Sequence, residues 1–221
     1  MDDWRRARLT AVVYDVGVEH ERIGRIGGRL LWGADLDRYY RDIDDLRTLV
    51  DGCRVLDVPC GGGIAFRGLP EDGSYRYAAL DLSPVMLRRS RANAARHGLR
   101  EIEFVQASAT ALPYREGGFD LCLSYFGLHC FPAPAAALAE MARVLRPGGR
   151  LRGSSVVRGS GRRQDMVISL FRRIGVFGTG GTADDLSSWL AAAGLDEISV
   201  ERDGAVAFFS ARRSPAPHST G

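Results

Sequence analysis

Between Trp4 and Val50 the apolar residues recur at helical intervals: Val12 with Val16, Ile23 with Ile26 and Leu30, then Leu36, Tyr39, Tyr40, Ile43, Leu46 and Leu49. That spacing predicts two or three helices ahead of the main fold. The pattern changes at Cys53, where Cys53 to Val58 forms a short apolar run ending at Pro59 and the glycines Gly61 to Gly63. Such a run predicts a buried parallel strand feeding a glycine-rich turn, with a helix after it from Gly63 to Leu69. Tyr75 to Leu80 predicts a second strand, closed by Asp81. The next helix is announced by Ser83 as N-cap, Pro84 at its first position and Gly98 as its terminator.

Further along, Glu103 to Ala107 and Phe119 to Tyr125 read as strands, and Ala133 to Leu145 as a helix stopped by Pro147, Gly148 and Gly149. Arg150 to Val157 predicts a fifth strand. The glycine- and arginine-rich segment Arg158 to Arg163 leads into an apolar helical stretch around Ile168, Leu170 and Phe171. Thr182 and Asp185 form an approximate capping box for a helix carrying Leu186, Trp189 and Leu190 and ending at Gly194. Two last strands, Ile198 to Glu201 and Val206 to Ala211, flank Asp203-Gly204, a strong hairpin signal. Strands and helices alternate and then finish in a hairpin, which predicts an α/β fold with a doubly wound, mostly parallel sheet whose last strand runs antiparallel. The expected division is a helical cap over 1–50, a core over 51–213 and a disordered Pro- and Ser-rich tail over 214–221.

The chain has 221 residues, 45% of them hydrophobic and 26% charged. A domain of this size buries roughly 70% of its unfolded surface and needs no disulfide or metal to hold it. The net charge of +3 is too small for the continuous positive field of a sequence-independent nucleic-acid binder, so no nucleic-acid partner is expected. All 30 basic residues are arginine, which removes lysine Schiff-base and lysine general-base chemistry. Cys53, Cys60, Cys122 and Cys130 show no C-x-x-C pair and read as reduced thiols. Met1 to Arg8 is charged and lacks an apolar core, and no stretch approaches the roughly 20 apolar residues of a membrane span. The expectation is a cytoplasmic protein. No His, Cys, Asp and Glu grouping has metal-ligand spacing, so no metal is expected.

The candidate chemistry begins at Val55-Leu56-Asp57-Val58-Pro59-Cys60-Gly61-Gly62-Gly63. Glycines at a strand's carboxyl end let the backbone approach a ligand closely. Here an acid leads the loop, which repels a phosphate and suits an ammonium or sulfonium group. Glycine triplets also occur in plain turns. Asp81 sharpens the reading, since it lies eighteen residues past Gly63 at the next strand end, where a carboxylate can accept from both hydroxyls of a ribose. A lone acid at that place is more often a helix cap or a solvated charge.

With the loop, the second acid and the closing hairpin together, the chain resembles the class I S-adenosylmethionine-dependent methyltransferases. The likeness continues through Asp81-Leu82-Ser83-Pro84-Val85-Met86-Leu87, Gln106 to Tyr114, Phe119 to Cys130 and Ala137 to Gly149, in register from Val55 to Leu151. It implies a Rossmann-like seven-stranded sheet with S-adenosylmethionine as cofactor and S-adenosylhomocysteine as product. By the same resemblance, Asp57 and the backbone of Gly61 to Gly63 hold the aminocarboxypropyl arm, with Pro59 in place of the motif's first glycine and Cys60 inside the loop. Asp81 takes the ribose, and Leu82 and Met86 the adenine face, although methionine is usually core filling. Ser108, followed by Ala109, stands where the family commonly has an aspartate for the adenine amino group, so that contact is weakened or rerouted. Ser124 is implied near the methionine moiety and His129 near the acceptor.

His129 is the catalytic candidate, because an imidazole can take a proton from a phenol or acidic carbon as it is methylated. A histidine between Leu128 and Cys130 is also often a packed structural residue. Many methyl transfers need no protein base, since alignment of nucleophile and methyl carbon supplies much of the rate. Pro59-Cys60 is similar to the nucleophilic pair of cytosine-C5 methyltransferases, but it lies in the cofactor loop. The Asn-Pro-Pro-Tyr clamp of amino-group methylases is missing after the fourth strand.

Tyr14-Asp15 and Trp32-Gly33-x-x-x-x-Arg38-Tyr39 resemble the cap of the quinone-biosynthesis C-methyltransferase branch, which places Tyr14 or Tyr39 at the site. Aromatics at helical spacing are more often core. The Arg158 to Arg173 segment either rims the acceptor mouth or forms a solvated face. The resemblance implies methyl transfer by direct displacement to a small organic acceptor, aromatic or lipophilic. Two rivals stay open at this point: a non-methylating protein on the same scaffold, such as a regulator or a pericyclase, and an NAD-dependent oxidoreductase.

Overall fold

The sheet is built from seven strands: β1 (Arg54–Asp57), β2 (Arg76–Asp81), β3 (Ile102–Gln106), β4 (Phe119–Tyr125), β5 (Leu145–Val156), β6 (Leu195–Asp203) and β7 (Val206–Arg213). The computed structural model describes residues 21–70 and 74–215. Strand order is β3-β2-β1-β4-β5-β7-β6. The first five strands pair in parallel, and β7 runs antiparallel to both β5 and β6. This is the doubly wound, mostly parallel sheet with a closing hairpin that the alternation of elements predicts. Strand order reverses between β1 and β4, and the carboxyl ends of these strands flank the crevice where open α/β sheets bind ligands.

Period-two alternation assigns each strand residue to one of two cores. Val55, Tyr77, Ala79, Leu121, Leu123, Val206 and Phe208 enter one, whereas Leu56, Ala78, Leu80, Cys122, Ala207 and Phe209 enter the other. Tyr39, Tyr40 and Ile43 of α2 (Asp37–Asp44) fill the first core. They are joined there by Leu87 and Ala94 of α3 (Pro84–Arg96) and Ile168 of α5 (Arg162–Arg173). The second core receives Leu138 and Met141 of α4 (Pro134–Val144) and Leu186 and Leu190 of α6 (Ala183–Ala192). The chain before β1 also includes α1 (Glu21–Gly27), running straight into a π-helical turn over Gly28–Trp32.

The hairpin strands run longer than expected, β6 from Leu195 to Asp203 and β7 on to Arg213, and two departures change an element. The segment after the glycine loop is a 3-10 turn, Ile64–Gly68, closed by Phe66 N–H to Gly63 and Leu69 N–H to Phe66 carbonyl bonds. It is too short to repay nucleation of an α-helix, and Pro70 bars its extension. β5 starts at Leu145 rather than Arg150. Its register against β4 passes from Phe119–Leu145 to Leu121–Arg150, so Arg146 to Gly149 bulges out of the strand instead of preceding it. Among the described residues, no helix is long and apolar enough to cross a membrane.

The capping box of α6 is present as the spacing predicts. Thr182 Oγ1 accepts from the Asp185 N–H at 3.1 Å, and Asp185 Oδ2 accepts from the Thr182 N–H at 2.8 Å. Those bonds hold the Asp185 carboxyl below its ordinary range. Thr182→Ala is therefore expected to lower unfolding free energy by about 1 kcal/mol in urea denaturation, without changing the slope.

Candidate cofactor and acceptor site

The carboxyl ends of β1 and β2 deliver two buried acids to one crevice. Asp57, the last residue of β1, is 3% exposed and accepts from the Tyr77 hydroxyl at 2.8 Å. Burial raises its pKa to about 7, with Tyr77 pulling the other way and Asp81 adding to the rise. Asp81 ends β2, and its Oδ2 accepts from the Gly61 N–H at 3.1 Å and its Oδ1 from the Ser83 N–H at 2.8 Å. Burial raises its pKa too, against those backbone bonds. Each of its oxygens keeps a free lone-pair direction after these contacts. Among the described residues, no arginine or histidine lies within salt-bridge reach of either acid.

The loop between these acids is held on both sides. Cys60 N–H donates to the Leu80 carbonyl at 2.9 Å, and Asn93 Nδ2 donates to the Gly63 carbonyl at 2.9 Å. Gly63 sits at φ +83°, and a Cβ there would strike the Phe66 ring. Pro59, preceded by a cis peptide bond, packs its ring against Gly127, where a Cβ would overlap it. Thus the residue that departs from the glycine pattern locks the β1 loop onto the β4 loop. The Cys60 thiol is buried 3.8 Å from Ser90 Oγ, and burial beside Asp57 and Asp81 pushes its pKa well up, which keeps it a neutral thiol.

β4 brings the remaining candidates. Ser124 is fully buried, and its hydroxyl has no hydrogen-bond partner among the described residues, as is also true of Ser154 on the neighbouring β5. Unpartnered buried hydroxyls at a strand-end crevice point to a missing ligand or water. Phe126 turns left-handed at φ 51°, a strained conformation for a non-glycine residue, and ends the strand.

His129 is buried, with Nδ1 accepting the Val156 N–H at 3.2 Å and lying 3.4 Å from Ser155 Oγ, whose hydroxyl donates to the Val156 carbonyl. Its pKa is pushed down to about 3 by burial. The ring is therefore neutral, with its proton on Nε2. Phe177 lies edge-on at 4.4 Å, and through Phe177 the ring joins an aromatic group with Phe171 and Trp32. Beyond Phe177 a groove of about 460 Å³ opens between Pro132, Thr179 and the Ser169 and Arg172 turn of α5.

The adenine-side candidates are more dispersed. Met86 is buried on the first turn of α3, whereas Leu82 is 66% exposed. Ser108 Oγ lies 2.8 Å from Thr110 Oγ1 and caps the Thr110 N–H, with Ala109 buried between them. Tyr39 is core, stacked edge-on against Tyr125 and Phe126. Tyr14 lies outside the described residues. Sequence reasoning passed over Tyr77 and Phe177. Tyr77 sits in register opposite Val55, and only strand pairing reveals that its hydroxyl reaches Asp57.

A doubly wound sheet with acids at the ends of β1 and β2, a glycine loop and an antiparallel β7 is an architecture that class I methyltransferases share. Residues 56–152 match the family described as a methyltransferase domain. The chain is 40% identical over 101 residues to a probable phthiotriol/phenolphthiotriol dimycocerosates methyltransferase of Mycobacterium ulcerans, covering 45% of this chain and 38% of that one. It is 34% identical over 148 residues to a ubiquinone/menaquinone biosynthesis C-methyltransferase of Ruegeria, covering 60% and 59% respectively. A putative methyltransferase of Bacillus halodurans superposes with a TM-score of 0.65 at 20% identity, covering 79% of this chain and 98% of that one. The chain thus resembles class I methyltransferases of the quinone C-methyltransferase kind. It spans between about two fifths and three fifths of the length of the curated relatives it matches.

S-adenosylmethionine is the cofactor of this class, and the residues present fit it. Among the described residues the two buried acids have no cation within salt-bridge reach, a glycine cradle borders them, and the Ser124 hydroxyl has no partner. The raised Asp57 pKa also has a consequence for stability. An unfolded aspartate titrates near 4, so the folded protein binds the proton more tightly. The contribution to stability is full below about pH 4 and is lost as pH rises through about 7. Asp57→Asn is expected to flatten that loss in urea titrations of the cofactor-free protein, and an unchanged slope between pH 4 and 7 would exclude Asp57 as its source.

Proposed function

We propose that this chain transfers the methyl group of S-adenosylmethionine to a small, lipophilic organic acceptor. The observation that carries the reading is the pair of buried carboxylates, Asp57 and Asp81, at adjacent parallel strand ends, with no cationic partner among the described residues. Uncompensated buried negative charge is costly, and a positively charged sulfur nucleoside with an ammonium-bearing arm relieves it. S-adenosylmethionine supplies an electrophilic methyl group that leaves without a protein nucleophile.

In this reading Asp57 and the backbone of Gly61 to Gly63 hold the aminocarboxypropyl arm, with Pro59 and Cys60 shaping the loop. Asp81 accepts from the ribose hydroxyls through its free lone pairs. Leu82 and Met86 cover the adenine, with Ser108 and Ala109 at its edge, and Ser124 faces the methionine moiety. The cap is taken as residues 1–50, over a core of 51–213 and a tail of 214–221, with Tyr14, outside the described residues, its candidate toward the site. His129 is the one candidate for a direct role at the acceptor. Its Nδ1 is already engaged by a backbone N–H, so the ring offers Nε2–H as a donor that orients an acceptor oxygen. Deprotonation then falls to the acceptor's own acidity and to alignment. The relatives named for quinone and phthiotriol substrates support an acceptor of lipophilic character.

S-adenosylhomocysteine is expected to raise the melting temperature of the wild-type chain, and Asp81→Ala to abolish the shift while the unliganded protein still melts cooperatively. Equal shifts in both proteins would remove Asp81 from the site. No shift in either would remove the cofactor from the protein.

A further inference from the structure

Nine large apolar side chains stand exposed among the described residues, and seven of them sit on two adjoining helical segments. Ile23, Ile26, Leu30 and Leu31 belong to α1 and the π-helical turn, where Ile23, Ile26 and Leu30 follow a helical stripe. Met166, Leu170 and Ile174 recur every fourth residue along α5 and just past its end, and so form a second stripe.

The two segments are in contact. The Arg163 guanidinium donates to the Leu30 carbonyl, and the Trp32 and Phe171 rings lie 5.9 Å apart. The inward face of α5 is already used by Ile168, which enters the core. The outward stripe therefore has no role in holding the fold, and apolar side chains gathered in this way mark an interaction surface.

The charge around the stripe identifies what it meets. Arg22, Arg162, Arg172 and Arg173 are exposed, and none has an acidic partner within 4 Å among the described residues. The acids nearest in the chain are otherwise engaged: Glu21 and Asp37 by Arg25, Asp35 by Arg29, and Asp165 by the Gly159 N–H. A protein partner's apolar patch would not call for a surround of unpaired guanidiniums, whereas an anionic lipid surface matches both features at once.

We infer that α1 and α5 form an interfacial platform that seats this chain on an anionic bilayer, with the apolar stripes among the acyl chains and the arginines on the headgroups. The groove beside Phe177 opens on the same last turns of α5, at Ser169, Arg172 and Arg173. A lipophilic molecule then passes from bilayer to groove without crossing water. The platform stands independently of the methyl-transfer reading, because its residues are not those that hold the cofactor.

The test is flotation of the full chain with vesicles of phosphatidylglycerol and phosphatidylcholine in equal parts, and with phosphatidylcholine alone. Binding is expected to the anionic vesicles, to fall with salt, and to drop by about tenfold or more in Met166→Asp/Leu170→Asp. The melting temperature of that variant should match the wild type, since both positions are exposed. Arg172→Gln/Arg173→Gln is expected to erase the preference for anionic vesicles. Failure to bind anionic vesicles, or equal binding by the Asp variant, would overturn the platform. So would a wild-type dimer in sedimentation that the Asp variant dissolves, because a second copy would then be what covers the stripes. The cofactor-induced melting shift is read separately, so failure of one proposal leaves the other standing.

Discussion

The Asp81 carboxylate, held between the N–H groups of Gly61 and Ser83, is the contact on which the rest of the site depends. It ties the glycine loop after β1 to the end of β2 and to the first turn of α3, so three elements share one anion. A carboxylate satisfied by backbone donors can stay buried, yet it retains acceptor capacity. The cost of this arrangement is visible in Asp57, whose buried position beside a second acid pushes its pKa up to about 7. Among the described residues the two acids have no cationic partner, an arrangement that disfavours a phosphate beside them.

Around that crevice the packing is stiff. Pro59 meets Gly127, Gly63 lies under Phe66, and Asn93 reaches back from α3 to the loop carbonyl. The neighbouring aromatic group is built differently, from Trp32, Phe171, Phe177 and His129 contributed by distant stretches of chain. The acid pair thus rests on short-range strand-end geometry, and the aromatic group on how the elements before β1 and after β5 meet the β4 loop. The family match, residues 56–152, covers β1 through most of β5 and includes His129, and leaves Trp32, Phe171 and Phe177 outside.

That division also explains which expectations hold. Local signals carried the cap of α3 at Ser83 and Pro84, the capping box at Thr182 and Asp185, and the hairpin at Asp203 and Gly204. Each depends on residues within a few positions of one another. The helix after Gly63 shortened to a 3-10 turn because Pro70 leaves it too little chain, whereas the boundary at Pro147 to Gly149 became a bulge inside β5 because pairing with β4 overrode the local breakers. Tyr77 escaped notice for a related reason: its role exists only once β2 lies beside β1.

The order of residues along the chain determined the alternation of strand and helix, the antiparallel finish and the placing of Asp57 and Asp81 at strand ends, since periodicity and turn chemistry are properties of neighbours. Tertiary structure alone decided that those acids share one crevice without a cation. It also decided that His129 spends Nδ1 on the Val156 N–H, and that the segments carrying the two exposed stripes touch through Arg163 and the Leu30 carbonyl. Burial, tautomer and patch continuity arise from residues far apart in sequence, and no window of neighbouring residues contains them.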